Sequence, residues 1–116
     1  MQQYSNLLVW QKSHALAVRV DEAIERCKRR DRSGVSSQAR RAALSIPTNI
    51  AEGCGRGSDR DFARFVHIAI GSTNELEYHL QFMAARHLIA LSDSEKMRNQ
   101  VREIRKMLFG LLKKLL

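Results

Sequence analysis

The sequence predicts an all-α fold, an antiparallel up-down-up-down four-helix bundle made by a single domain spanning residues 1–116. Three observations lead there. Apolar residues recur at spacings of three and four in four successive segments, about 8–29, 35–53, 59–87 and 93–115, which is the period of an amphipathic helix. Aromatics make up 6 % of the chain and there is one proline, whereas β-rich domains of this size are richer in aromatic and β-branched residues. The connections are short and no strand pattern competes, so the four stripes can be buried only against each other.

In the first segment the stripe is Val9, Ser13, Leu16, Val20, Ile24 and Cys27, with Asn6 as candidate N-cap. It dissolves into the charged link Lys28–Gly34. In the second, Val35, Ala39, Ala42, Ala43, Ile46, Ile50 and Cys54 share a face. Pro47 lies off that stripe and crowds the carbonyl of Ala43, which predicts a kink, but the stripe resumes in phase at Ile50 and the helix is expected to continue. In the third, Ser58 and Asp61 form an acidic capping box. Its stripe is Phe62, Phe65, Val66, Ala69, Thr73, Leu76, Leu80 and Met83, and Gly71 would let a neighbouring helix approach closely. In the fourth, Ser92 and Glu95 bracket a capping box, and Met97, Val101, Ile104, Leu108, Leu111 and Leu115 make a heptad seam.

The formal net charge of +8 favours an acidic partner, of which nucleic acid is the commonest. Cys27 and Cys54 read as two buried, reduced thiols rather than a disulfide framework. The N-terminus has no basic, apolar leader and no window is long enough to span a bilayer, so a cytoplasmic protein is expected.

The stretch Ser45–Arg56, SIPTNIAEGCGR, places Gly53, Gly55 and Gly57 around Arg56. A phosphate loop would need a preceding strand or a Gly-Lys-Ser/Thr sequence, and neither is present. The stretch reads instead as a helix C-terminus whose left-handed cap is Gly53 or Gly55. Asn49 and Glu52 would satisfy the backbone freed by Pro47 or pair across the bundle, and Glu52 and Arg56 are spaced for an i,i+4 ion pair.

Residues 37–53, SQARRAALSIPTNIAEG, resemble the signature of the 23S rRNA intervening-sequence protein family, the four-helix bundle protein family. The resemblance extends to LVWQK at 8–12, IAIGS at 68–72, ELE at 75–77 and MLFGL at 107–111, and so to nearly the whole chain. Ser45, Pro47, Asn49, Glu52 and Gly53 are the structural residues of the signature. Between the first two helices the sequence departs from the family pattern. The residues from Lys28 to Ser33, almost all charged, stand where apolar and aromatic ones are usual, and Val35 stands for the Leu of a Gly-Leu pair. The resemblance implies a small bundle that assembles into a ring, typically a homopentamer, and an association with ribosomal RNA genes. A similar pentameric bundle binds reverse transcriptase and nucleic acid in diversity-generating retroelements.

No enzyme chemistry can be assembled by spacing. A di-iron bundle needs Glu-x-x-His motifs, which the chain lacks. Glu75 and His79 could share a metal but read better as a solvated or intersubunit polar pair. No catalytic residue, metal or cofactor is therefore assigned. The candidate nucleic-acid-binding residues are Arg29, Arg30 and Arg32 in the first link, and Arg40 and Arg41 grouped with Arg56, Arg60 and Arg64. A third basic group lies on the fourth helix. Base-stacking aromatics are sparse, so binding by shape and charge is expected, and the family resemblance implies RNA over DNA. Leu44, Ala63, His67 and Ile70 lie off the core stripes, where an isolated bundle would leave them wet, and are the candidate oligomer interface. The alternative is a protein–protein scaffold or accessory subunit without a nucleic-acid role.

Overall fold

The computed structural model describes residues 3–116. A 3-10 turn at Tyr4–Asn6 leads into four helices, α1 (Leu8–Arg26), α2 (Val35–Cys54), α3 (Asp59–Ala85) and α4 (Leu91–Leu115). No strand occurs among the described residues. Each of α1 and α3 packs between α2 and α4, which makes a four-helix bundle around one core. The molecule is 45 Å long and about 20 Å across. Its length is close to that of its longest helix, since 27 residues at 1.5 Å each span about 40 Å.

The stripes meet as their spacing requires. Leu16, Ile46, Ile50, Val66, Leu76, Leu80, Met83, Met97, Val101, Ile104 and Leu108 are almost wholly removed from water. Each such side chain contributes on the order of 1.5–3 kcal/mol of transfer free energy. In α4 the last buried position is Leu112, with Leu111 and Leu115 half-buried at the edge, so the seam drifts by one residue from a strict heptad. That is the drift of a straight 3.6-residue helix against a 3.5-residue repeat.

α2 runs unbroken through Pro47, which is buried at the margin of the stripe. Beside it, Asn49 Nδ2 donates to the carbonyl and the hydroxyl of Ser45 (2.8 and 2.9 Å). The Ser45 hydroxyl lies 2.7 Å from that of Ser72, which donates to the Ile68 carbonyl (3.2 Å). The donors thus run in one direction, from Asn49 through Ser45 to Ser72 on α3. The signature's polar residues tie α2 to α3, while Glu52 makes the expected ion pair with Arg56 (3.1 Å).

The helix ends differ from expectation in instructive ways. α2 ends at Cys54 with Gly55 in a right-handed conformation, so neither Gly53 nor Gly55 is a left-handed cap. Gly53 serves another purpose. A Cβ there would fall 2.7 Å from Phe62 Cδ1 and 2.8 Å from Phe65 Cβ, so the glycine lets the end of α2 close on the start of α3. Gly71, expected to permit such an approach, is exposed, with nothing within 4 Å of a built Cβ. α3 is capped by Ser58, whose hydroxyl accepts from Asp61 N–H (3.1 Å), as its spacing predicts.

The other two expected caps are not used. Asn6 lies in the 3-10 turn and Leu7 precedes α1 without a side-chain bond. α4 begins at Leu91, before the Ser92 box, because Ser94 is drawn inward and its hydroxyl donates to the Leu80 carbonyl (2.9 Å). α1 stops at Arg26, short of residue 29. Cys27 therefore lies past the helix end and is half-buried, whereas Cys54 is buried, and neither is in a disulfide.

Ala63 and Ile70 are 4 % and 8 % exposed within the single chain, so the premise that an isolated bundle leaves them wet fails. α3 packs on both α2 and α4, and this widens its apolar face beyond one stripe. Leu44 (53 % exposed) and His67 do remain at the surface. His79 is buried rather than solvated, 4.0 Å from Glu75, and its Nδ1 has no partner among the described residues. No group of three metal-ligating side chains occurs there or elsewhere among the described residues. Among the described residues no helix is long and apolar enough to cross a membrane.

Candidate nucleic-acid interface

The link between α1 and α2 is held by one carboxylate. Asp31 Oδ1 accepts from the Ser33 hydroxyl (2.6 Å) and from the N–H groups of Ser33 (2.9 Å) and Gly34 (3.2 Å). Its Oδ2 accepts from Ser36 N–H (2.8 Å), and the Ser33 hydroxyl accepts from Val35 N–H (3.1 Å). Asp31 and Ser33 together satisfy two free donors of the first turn of α2, the N–H groups of Val35 and Ser36, for which Gly34, at φ +79°, has no side chain to offer. The Ser33 hydroxyl bond, aided by the backbone donors of Ser36 and Ser33 and opposed by slight burial, lowers the Asp31 pKa to about 2.

This arrangement decides the electrostatics of the link. Its one acid is bonded to backbone donors and the Ser33 hydroxyl, and the flanking Arg29, Arg30 and Arg32 are left exposed and without ion pairs among the described residues. Arg86, at the end of α3, joins them around a shallow depression of about 400 Å³. The link and the α3–α4 corner lie at the same end of the bundle, a juxtaposition of residues far apart in sequence. Arg86 is the functional candidate missed from sequence. Its place at the end of a helix neighbouring the link was the available signal.

The corner itself is unusual. His87 has φ +60°, the one non-glycine residue with positive φ among those described. Leu88 N–H donates to the Met83 carbonyl (2.8 Å) and His87 N–H to that of Ala84 (3.0 Å), the double closure of a Schellman cap. Leu88 and Met83 are both buried, which supplies the cap's hydrophobic contact and holds Arg86 outward.

The second predicted basic group is not one patch. Arg40 lies near the start of α2 and Arg56 just past its end, about 25 Å apart along the axis. Arg40 clamps α2 to α1, donating from Nε to Asp21 (2.6 Å) and from a terminal nitrogen to Glu25 (2.9 Å). Arg56 and Arg64 both lie over the Phe65 ring (4.8 and 4.7 Å) and pair with Glu52 and Asp61. Arg41 and Arg60 are exposed. On α4, Arg102 and Arg105 converge on Glu77 of α3 (3.0 and 2.7 Å). Burial pushes the Glu77 carboxyl up, and the hydrogen bond and charge of Arg105 with the charge of Arg102 outweigh it, so the group sits below the ordinary glutamate range. Arg40, Arg102 and Arg105 thus hold neighbouring helices together, whereas the arginines of the link have no carboxylate partner among the described residues.

A groove of about 600 Å³ on another face runs between α1 and α2. There Trp10 stacks on His14 (5.1 Å, 2° between planes) and meets Tyr4 edge-on (4.9 Å), opposite Leu44, Pro47 and Thr48.

The comparisons with known proteins agree with this fold. The chain is similar to a protein of unknown function from the S23 ribosomal protein family of Bacteroides thetaiotaomicron. The two share 29 % identity and a TM-score of 0.83 over 91 % of this chain and 99 % of the other. No curated protein matches the sequence. The model of the 23S rRNA-intervening sequence protein family matches residues 5–110. On that match the chain belongs to the 23S rRNA-intervening sequence protein family.

Proposed function

We propose that this protein is a non-enzymatic, cytoplasmic RNA-binding bundle, with structured ribosomal RNA as its favoured partner. The observation that carries the reading is the convergence of Arg29, Arg30, Arg32 and Arg86 at one end, around a depression whose one acid, Asp31, is bonded to backbone donors rather than to an arginine. Exposed, unpaired guanidinium groups grip phosphates and release counterions, which gives affinity without base reading. The helices alternate in direction. Lys12 pairs with Glu103 and Arg19 with Gln100, so positions rise along α1 as they fall along α4, and Glu77 with Arg102 and Asn74 with Arg105 do the same for α3 and α4.

Assembly into a ring, with a homopentamer the expectation from the family resemblance, would multiply the basic end and add avidity. The aromatic groove with exposed Leu44 favours a second reading, a scaffold whose partner is a protein.

The test is a titration against a structured 23S rRNA fragment over a salt series. Log affinity should fall linearly with log salt, and replacing Arg29, Arg30 and Arg32 by Gln should lower the slope by about 2–3, near 0.9 per lost phosphate contact. No binding at about 50 mM salt, where such contacts are strongest, would leave the scaffold reading.

A further inference from the structure

Beside the arginine depression a second cavity, of about 770 Å³, opens between the end of α1 and the α3–α4 corner. It shares Arg29 and Leu88 with the depression. That volume is within the range of small-molecule sites. Its floor is apolar, formed by Ala84, Leu88 and Ile89, and its rim carries Lys28, Arg29, His87 and Arg98. Neither Asp nor Glu lines it.

The aromatic groove and the arginine depression each have an acid in their lining, Glu52 and Asp31, and this cavity has none. Arg40, Arg56, Arg64, Arg102 and Arg105 each have a carboxylate partner. Arg98 has none among the described residues, and its Nε is buried without an acceptor. A folded protein rarely leaves such a donor unanswered. Arg98 thus brings an unpaired cation to the cavity that its side chain lines. α4 also begins here, with Ala90 as a cap that offers no side-chain oxygen and Asp93 in its first turn.

The shape of the cavity selects among anions. A phosphodiester within a strand carries one charge and has chain on both sides, which suits the open arginine surface. A concave site with an apolar floor suits a group that projects into it. A terminal phosphate monoester projects and carries close to two negative charges. We propose that this cavity is a nucleotide pocket that takes a chain-terminal nucleotide of RNA, with the phosphate held by Lys28, Arg29 and Arg98 and the base lying over Leu88 and Ile89. A free nucleoside monophosphate presents the same chemistry. The inference rests on the RNA-binding reading and adds to it a preference for chain ends.

The test uses three short RNAs of one sequence, bearing a phosphate at the 5′ end, at the 3′ end, or at neither, with adenosine monophosphate as the free ligand. Wild type, Lys28→Gln and Arg98→Gln are compared, each checked for helicity. One phosphorylated RNA should bind at least about tenfold more tightly than the unphosphorylated one, the worth of a charge-assisted hydrogen bond. Both variants should lose that preference. Because Lys28 is exposed in the link, its variant keeps the test valid should Arg98→Gln unfold. Competition by adenosine monophosphate assigns the pocket to free nucleotides as well, and its absence assigns it to RNA ends. Equal affinity of wild type for all three RNAs, or a preference retained in both variants, overturns the proposal. If none of the RNAs binds, the RNA-binding reading fails, and the pocket stands only on adenosine monophosphate binding that Arg98→Gln weakens.

Discussion

Replacing Gly53 by Ala sets two known quantities against each other. Alanine in a helix interior gains about 1 kcal/mol over glycine. At Gly53 the added methyl would meet Phe62 Cδ1 at 2.7 Å and Phe65 Cβ at 2.8 Å. The half-buried Phe62 ring can turn aside, but the Phe65 Cβ is fixed to the α3 backbone, so the two helices must part. Overpacking of this kind costs typically 1–3 kcal/mol. The clash should win, leaving a net loss of about 1 kcal/mol and a Tm lower by several degrees. Gly71→Ala is the control, because its methyl meets nothing within 4 Å and should recover the full helix-propensity gain. Urea unfolding followed by circular dichroism, at one protomer concentration, reads both variants. Gly53→Ala as stable as wild type would refute the close-approach argument. Gly71→Ala less stable than wild type would mean that another copy packs on that face.

His87→Gly should raise stability by about 1 kcal/mol, because glycine adopts the left-handed cap without the strain an L side chain carries; thermal unfolding checks it. Asp31→Ala should lose about 0.5–2 kcal/mol as its capping bonds are removed. The Asp31 pKa is depressed when folded, so its contribution is complete above the unfolded value near 4 and disappears as pH falls toward about 2. Unfolding of wild type and Asp31→Ala should therefore converge over that window. The same variant should bind RNA more tightly at low salt, since a negative charge leaves the arginine cluster, and a titration at two salt concentrations reads it. Ser72→Ala should cost about 1 kcal/mol by cutting the hydrogen-bond chain between α2 and α3, and a double mutant with Ser45→Ala should cost less than the sum.

Much of the fold was legible in the residues. The four stripes are set by period, and period survives into structure because a helix presents the same face every 3.6 residues. The Ser58 cap and the Glu52–Arg56 pair are local, spanning three and four positions, and both form. The caps at Asn6 and Ser92 obey the same local rule and do not form. At the second site the Ser94 hydroxyl is worth more inside the bundle, bonded to Leu80, than its neighbour is at the helix end.

The candidate site was legible only as charge. Composition and spacing showed an arginine-rich link, but every arginine looked alike. Tertiary structure separated them. Arg40, Arg56 and Arg64 found carboxylates or an aromatic ring, while Arg29, Arg30 and Arg32 met Arg86 from across the bundle. Likewise Ala63 and Ile70 lay off the stripe by period and inside the core by packing, because α3 has two neighbours.

By itself, then, the sequence determined the number of helices, the main apolar stripe of each and the family signature, all of which follow from short-range periodicity and local pairing. The tertiary structure alone decided which charges are neutralised and which glycine is required, because both depend on what a distant segment brings within a few ångströms.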